Sequence, residues 1–308
     1  MRIFTGNAHP DLAHRICKYL GIDLGRAEVG KFPDSETKVQ ILDNVRGMDV
    51  FVVQSLTPPV NESIMELLVM VDALRRAAAR SINAVIPYYA YARQDRKHAG
   101  RVPITAKLVA NLLATSGVSR VLTMDLHAMQ IQGFFDIPLD HLLARPVLID
   151  YLKTLNMDKP VVLSPDIGSM KMGESFALRI DASLAVVEKK RLGDADIKTG
   201  HVIGEIRNCD VVIPDDMITT AGSICAAIKI AKSHGAKRVI AMATHGVFAG
   251  PAFDRLREAG PDEIVVTDTI PLRQEAPAGL KLTRLSVAEL LGEAITRIHR
   301  NKSVSVLF

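Results

Sequence analysis

The chain contains no tryptophan, three cysteines in 308 residues and only 5% aromatic side chains. Cys17, Cys209 and Cys225 are odd in number, far apart and without a C-x-x-C pair, which argues against a disulfide framework and against a cysteine zinc site. No apolar run reaches the ~18 residues of a membrane span, and the opening "MRIFTGNAHPDLAHRI" lacks the apolar centre of a signal peptide. Neither export nor a bilayer is therefore expected, and a reducing cytoplasm is. Charge of one sign is also lacking: 38 Lys and Arg against 34 Asp and Glu leave +4, too little to argue for a nucleic-acid surface. What remains is 48% hydrophobic and 23% charged, the composition of a globular protein long enough for two domains.

Strand-like runs alternate with helical patterns along the whole chain, which predicts an α/β protein with mainly parallel, doubly wound sheets. Two stretches share one plan. "MDVFVVQSLTPPVNESIMELLVMVDALRRAAARSINAVIPYYAYA" and "NCDVVIPDDMITTAGSICAAIKIAKSHGAKRVIAMATHGVFAG" each read strand, polar loop, apolar helix, strand. Any two βαβ units look somewhat alike, but we read a duplication into two similar domains, 1–145 and 146–299, with 300–308 as a tail returning to the first. Their joint falls near residues 142–160, where no low-complexity linker intervenes, so packed rather than tethered domains are expected.

Four constellations carry chemistry. In "VVIPDDMITTAGSICAA" a buried strand, Val211–Ile213, meets a helix from Ser223 onward, at the strand end and helix start where open sheets bind anions. One aspartate there would cap the helix; Asp215 and Asp216 together suit the two hydroxyls of a ribose. Thr219, Thr220, Ala221, Gly222 and Ser223 supply N–H and hydroxyl donors for a phosphate, with Ala221 and Gly222 small enough to leave the turn open. In "LTMDLHAMQIQGFF" Asp125 and His127 can face one cation, although a D-x-H by itself is better explained by a capping Asp and a satisfied His. "VLSPDIGSM" adds Asp166, with Gly168 permitting close approach, and suggests a metal-phosphate cleft shared with His127. "YYAYARQDRKHAGR" places Arg93, Arg96, Lys97 and Arg101 after a strand, either as a solvated face or as a polyphosphate clamp, while Tyr88, Tyr89 and Tyr91 are core or flank a base. "VVEKKRLGDADIKTGHV" has the composition of a mobile cationic loop, catalytic only if it closes over phosphates.

These motifs resemble those of the ribose-phosphate pyrophosphokinases from end to end, in "GKFPDSETKVQI", "NVRGMDVFVVQS", "YARQDRK", "RVPITAKLVANLL", "TMDLHAMQIQGFFDIP", "SPDIG", "DDMITTAGS", "ATHGVFAGPA", "TDTIP" and "SVSVLF". The resemblance implies two duplicated phosphoribosyltransferase-like domains, transfer of the pyrophosphoryl group of MgATP to ribose 5-phosphate, and a homo-oligomer, a hexamer built from dimers. It implies ATP binding by Phe32, Asp34 and Glu36 from a neighbouring subunit and by Arg93 and Gln94. It implies Mg²⁺ on His127 and Asp166, with Asp125 supporting His127. It implies ribose hydroxyls on Asp215 and Asp216, the 5-phosphate on the 219–223 turn, and catalytic roles for Lys189 and Arg191. Arg46, Arg101, Ser303, Ser305 and Phe308 match a regulatory phosphate or ADP site.

The chain also departs from that pattern. Thr219 stands where many members carry Asp, "SMKMGES" lacks an arginine found in several, and "KKRLGDADIKTG" lacks the usual Pro and Asn. Two rivals are a phosphoribosyltransferase, which has no need of "YARQDRK" or the Phe32–Asp34–Glu36 set, and a non-catalytic regulatory homologue, against which Lys189, Arg191, His127 and both aspartates speak.

Overall fold

The chain is described from a computed structural model, which covers residues 1–188 and 201–307. Lys189, Arg191 and Phe308 lie outside the described residues. Two compact units divide the chain: 1–143 with 269–271 and 286–308, and 144–268 with 272–285.

The first unit begins with β1 (Arg2–Thr5) and α1 (Pro10–Leu20), which starts on a proline and stops at Gly21 in the left-handed conformation. An antiparallel hairpin follows, β2 (Ala27–Lys31) and β3 (Thr37–Ile41). Next come β4 (Asp49–Val53), α2 (Val60–Arg76), β5 (Ser81–Ile86), α3 (Thr105–Ser116), β6 (Arg120–Met124) and β7 (Leu139–Leu142). Their sheet has the order β1-β4-β5-β6-β7 and is parallel throughout. Phe51, Val52 and Val53 are all buried, the continuous apolar reading expected of a parallel strand covered on both faces.

The second unit contains α4 (Arg145–Thr154), β8 (Val161–Ser164), α5 (Met170–Arg179), β9 (Ser183–Glu188) and β10 (His201–Ile203). It continues through β11 (Asp210–Ile218), α6 (Gly222–Ser233), β12 (Arg238–Gly246), α7 (Ala252–Ala259), β13 (Glu263–Thr267) and β14 (Leu282–Leu285). The sheet order is β10-β9-β8-β11-β12-β13-β14, with β10 the antiparallel edge. Strand alternation sorts the core: Val211 and Ile213 pack with Ile224 and Ile228 of α6, whereas Val212 packs with Leu148 of α4 and Phe176 of α5. Gly173 lets α5 lie close on the sheet, because a Cβ there would sit 2.2 Å from Ser164 Oγ.

The last helix, α8 (Ala288–His299), belongs to the first unit, whereas the sequence grouping carries the second domain on to residue 299. It packs on α1, where a Cβ on Gly292 would meet the Tyr19 ring at 2.5 Å, and Leu291 and Ile295 are among its buried residues. His299 Nδ1 reaches Asp49 Oδ2 (3.0 Å), which ties the helix end to the start of β4. Among the described residues no helix is long and apolar enough to cross a membrane.

Candidate active site

The paired carboxylates sit within a strand. β11 runs on to Ile218 because β12 is equally long and pairs with it in register, Asp215 with Ala243 and Ile218 with Gly246. The loop expected after Ile213 is thereby shortened to the turn before Gly222. Asp215 and Asp216 are half-buried, and the Asp216 N–H donates to Asp215 Oδ1 (2.9 Å). Burial first, then the charge and side chain of Asp216, push the Asp215 carboxyl up to about 8, and the Asp166 charge acts in the same direction.

The turn itself is held by its carbonyls. The Ile218 carbonyl accepts from the N–H groups of Val247 and Phe248 (3.0 Å each), and that of Thr219 from Ala249 N–H (2.9 Å). Arg255 Nη1 donates to the Thr220 carbonyl (3.0 Å), and Cys225 N–H to that of Ala221 (3.0 Å). Ala221, which precedes α6, has a left-handed backbone (φ 60°), a conformation that costs a side-chain-bearing residue ~1–2 kcal/mol. Gly222 needs no special conformation; a Cβ there would find only Arg255 Nη1, at 3.8 Å. α6 has no side-chain cap and no acidic residue in its first turn, so its positive end is left uncompensated by its own sequence.

Asp166 lies just beyond β8, the neighbour of β11. Its Oδ1 accepts from Ser169 N–H (3.0 Å), and Ser169 Oγ faces Asp166 N–H (3.3 Å), a reciprocal cap on a single helical turn. A Cβ on Gly168 would come within 3.3 Å of Asp166 Oδ1, a tight approach.

In the first unit, Asp125 follows β6 with φ 39°, and its N–H donates to the Leu142 carbonyl (3.0 Å). His127 is exposed. Between them Leu126 N–H donates to Nε2 of buried His141 (2.9 Å), so that nitrogen carries no proton and His141 props the Asp125–His127 turn. Sequence reading missed His141, which has no motif around it. Arg93 and Gln94 are exposed; Gln94 accepts from the Thr105 hydroxyl through Oε1 and from Ala106 N–H through its carbonyl, at the start of α3. Tyr88 and Tyr89 are core residues, Tyr89 donating to the Ala106 carbonyl (2.9 Å) and lying edge-on to Phe135, while Tyr91 donates to Asn61 Oδ1 (2.6 Å).

Phe32, Asp34 and Glu36 share the tip of the β2–β3 hairpin, closed by Phe32 N–H to Glu36 O (2.8 Å). Phe32 is 46% exposed. The hairpin leans on α2 through a Lys31–Glu62 ion pair, and Asn7 Nδ2 binds the Val29 carbonyl (3.2 Å). Arg46 and Arg101 are exposed. Ser303 and Ser305 share a hydroxyl bond (2.7 Å), and Arg297 Nη1 donates to the Ser303 carbonyl (3.2 Å).

A hard cation prefers carboxylate oxygens, which Asp166, Asp215 and Asp216 offer. Among the described residues no three His, Cys, Asp or Glu side chains form a ready cation cage. Magnesium commonly takes one or two protein carboxylates and completes its shell with phosphate oxygens and water, a demand that this carboxylate donor set is able to meet.

Residues 1–117 match the family model described as the N-terminal domain of ribose phosphate pyrophosphokinase, and 198–308 match the phosphoribosyl synthetase-associated domain. The ribose-phosphate pyrophosphokinase of Wolinella succinogenes is 50% identical over 100% of this chain and 98% of its own. That of Parasynechococcus marenigrum is 52% identical over 100% and 93%. The crystal structure of phosphoribosylpyrophosphate synthetase from Mycobacterium smegmatis superposes with a TM-score of 0.90 at 40% identity, covering 97% of this chain and 99% of that one.

Proposed function

The chain belongs to the ribose-phosphate pyrophosphokinase family, and from that premise we propose that it transfers the pyrophosphoryl group of MgATP to the anomeric hydroxyl of ribose 5-phosphate. The end-to-end match to relatives of that name carries the reading. A bond forms between the anomeric oxygen and the β-phosphorus, the bond from that phosphorus to the oxygen bridging α and β breaks, and AMP leaves. The hydroxyl proton passes to solvent. The products are phosphoribosyl pyrophosphate and AMP.

The second unit takes the sugar phosphate. Asp215 and Asp216 bind the ribose hydroxyls, and the weakened acidity of Asp215 suits a pair that holds one proton and can both donate and accept. Thr219, Thr220, Ala221, Gly222 and Ser223 receive the 5-phosphate at the start of α6, where N–H groups and helix dipole favour an anion. The first unit takes ATP through Arg93 and Gln94, and the adenine is met by Phe32, Asp34 and Glu36 of a neighbouring subunit. An exposed aromatic at a hairpin tip supports that assignment. Magnesium, when bound, offsets charge on the phosphoryl oxygens; His127 and Asp166 hold it, with Asp125 supporting His127. Lys189 and Arg191 neutralise charge that grows on the transferred group and on departing AMP.

We also assign Arg46, Arg101, Ser303, Ser305 and Phe308 to a regulatory phosphate or ADP site, and a homo-oligomer, a hexamer built from dimers, as the working form in the cytoplasm. The deciding experiment incubates the enzyme with MgATP and ribose 5-phosphate and follows both products. AMP and phosphoribosyl pyrophosphate rising one for one is the expected result; AMP without phosphoribosyl pyrophosphate, or no turnover, refutes the assignment.

A further inference from the structure

The 218–221 stretch has every carbonyl occupied, and the donors are not alike. Ile218, Thr219 and Ala221 are bound by backbone N–H groups of Val247, Phe248, Ala249 and Cys225. Thr220 is bound by a side chain, Arg255, which projects from α7. A trans peptide is planar, with its C=O and the following N–H pointing in opposite directions, so fixing a carbonyl fixes the next N–H. The Thr220 carbonyl therefore governs the N–H of Ala221, the residue whose left-handed backbone turns the chain into α6.

Charge gives a second argument. Arg255 sits beside the amino end of α6: its Nη1 bonds to Thr220, lies 3.8 Å from where a Gly222 Cβ would be, and the side chain acts electrostatically on Cys225. A cation at the positive end of a helix is unfavourable by itself, and becomes favourable once an anion is seated there.

We infer that Arg255 is a positioning residue for the 5-phosphate of ribose 5-phosphate, aligning the Ala221 peptide and adding positive charge behind the turn. The inference rests on the assignment of the 219–223 turn to that phosphate. Arg255 is an exposed residue of α7, so replacement is compatible with folding.

The test compares Arg255→Met, Arg255→Lys and Ser223→Ala in the full chain, reading KM for both substrates, kcat, the melting temperature, and calorimetric binding of ribose 5-phosphate and of unphosphorylated ribose. Arg255→Met is expected to raise KM for ribose 5-phosphate about tenfold, the ratio set by ~1.4 kcal/mol, with KM for ATP within about twofold. It should also reduce the preference for ribose 5-phosphate over ribose, which general loosening of the fold would not do selectively. Arg255→Lys keeps a cationic donor and should recover most of the loss, and it also serves should the Met variant fold poorly. An unchanged KM for ribose 5-phosphate, an equal rise for both substrates, or a Lys variant no better than Met overturns the inference. Ser223→Ala separates the two levels: if it raises KM for ribose 5-phosphate while Arg255→Met does not, Arg255 is wrongly assigned and the turn stands; if neither does, the turn is not the phosphate site.

Discussion

The strand–helix–strand segments β4-α2-β5 and β11-α6-β12 have the same parallel plan and opposite finishes. In the first, the strand end is sealed. Gln54 is fully buried, donating to Ser63 O (3.2 Å) and Glu66 Oε1 (2.8 Å), and Glu66 also accepts from Asn7 N–H (2.6 Å) and Nδ2 (2.7 Å). Glu62 lies in the first turn of α2 and complements its dipole. In the second, the strand end carries two carboxylates that repel, a turn whose carbonyls face protein, and a helix start with no acidic residue. One topology thus serves as a closed core element in one unit and as an open binding edge in the other; the difference lies in a few side chains at the strand's carboxyl end.

The contrast can be broken from either side. The largest effect is expected at Lys189 and Arg191: each Ala substitution should lower kcat by about 10²–10³, the loss typical of one preorganised charge contact, with ATP binding nearly unchanged. Lys190→Ala is the control; equal damage there, or silence at all three in an active enzyme, removes the catalytic assignment. Next is Gly6→Ala in the sealed end, whose Cβ would lie 2.4 Å from Glu66 Oε1 and 2.5 Å from Gln54 Oε1. Overpacking should cost about 2 kcal/mol in urea unfolding. A variant as stable as the parent would show that the seal is loose.

Acidity sharpens the comparison further. Asp49, in the first unit, is held well below the usual carboxylate range, chiefly by its hydrogen bond to Arg80, against the cost of burial. It stabilises the fold above the ordinary value of 3.8 and loses that contribution as pH falls through its lowered value. Asp215 runs the other way. Its contribution is complete below 3.8 and is lost as pH rises towards about 8, so unfolding free energy should decline across that window. Asp215→Asn should flatten the decline; an identical slope in the variant would show that Asp215 is ionised like an ordinary surface acid. The smallest effect is Ala221→Gly, which relieves the left-handed backbone at some cost in chain entropy and should change stability by less than about 1 kcal/mol. A melting temperature lowered by more than a few degrees would mean that the Ala221 methyl is needed for packing.

Local signals carried the reading of the sequence a long way. Val211–Ile213 announced a buried strand, Asp215 and Asp216 stood out as a vicinal pair, and the helix read from Ser223 onward begins one residue earlier, at Gly222. Long-range pairing was the limit. Nothing near Met217 says that β11 continues, because its extra residues are strand only through partners in β12. α8 joins the first unit through Gly292 against Tyr19, a contact between residues far apart in the chain. His141 and Arg255 act on backbone atoms of other elements, a role that leaves no motif in their own surroundings.

Phe32 at its hairpin tip has an optical consequence. A chain without tryptophan is dark in the red edge of protein absorption, so Phe32→Trp would place a single fluorophore on the one exposed ring of that hairpin. Its emission would be that of a solvated indole in an isolated chain and would shift to the blue wherever another surface, or a base, covers the tip. The fluorescence of one side chain then records, without any assay of turnover, how often the hairpin is occupied.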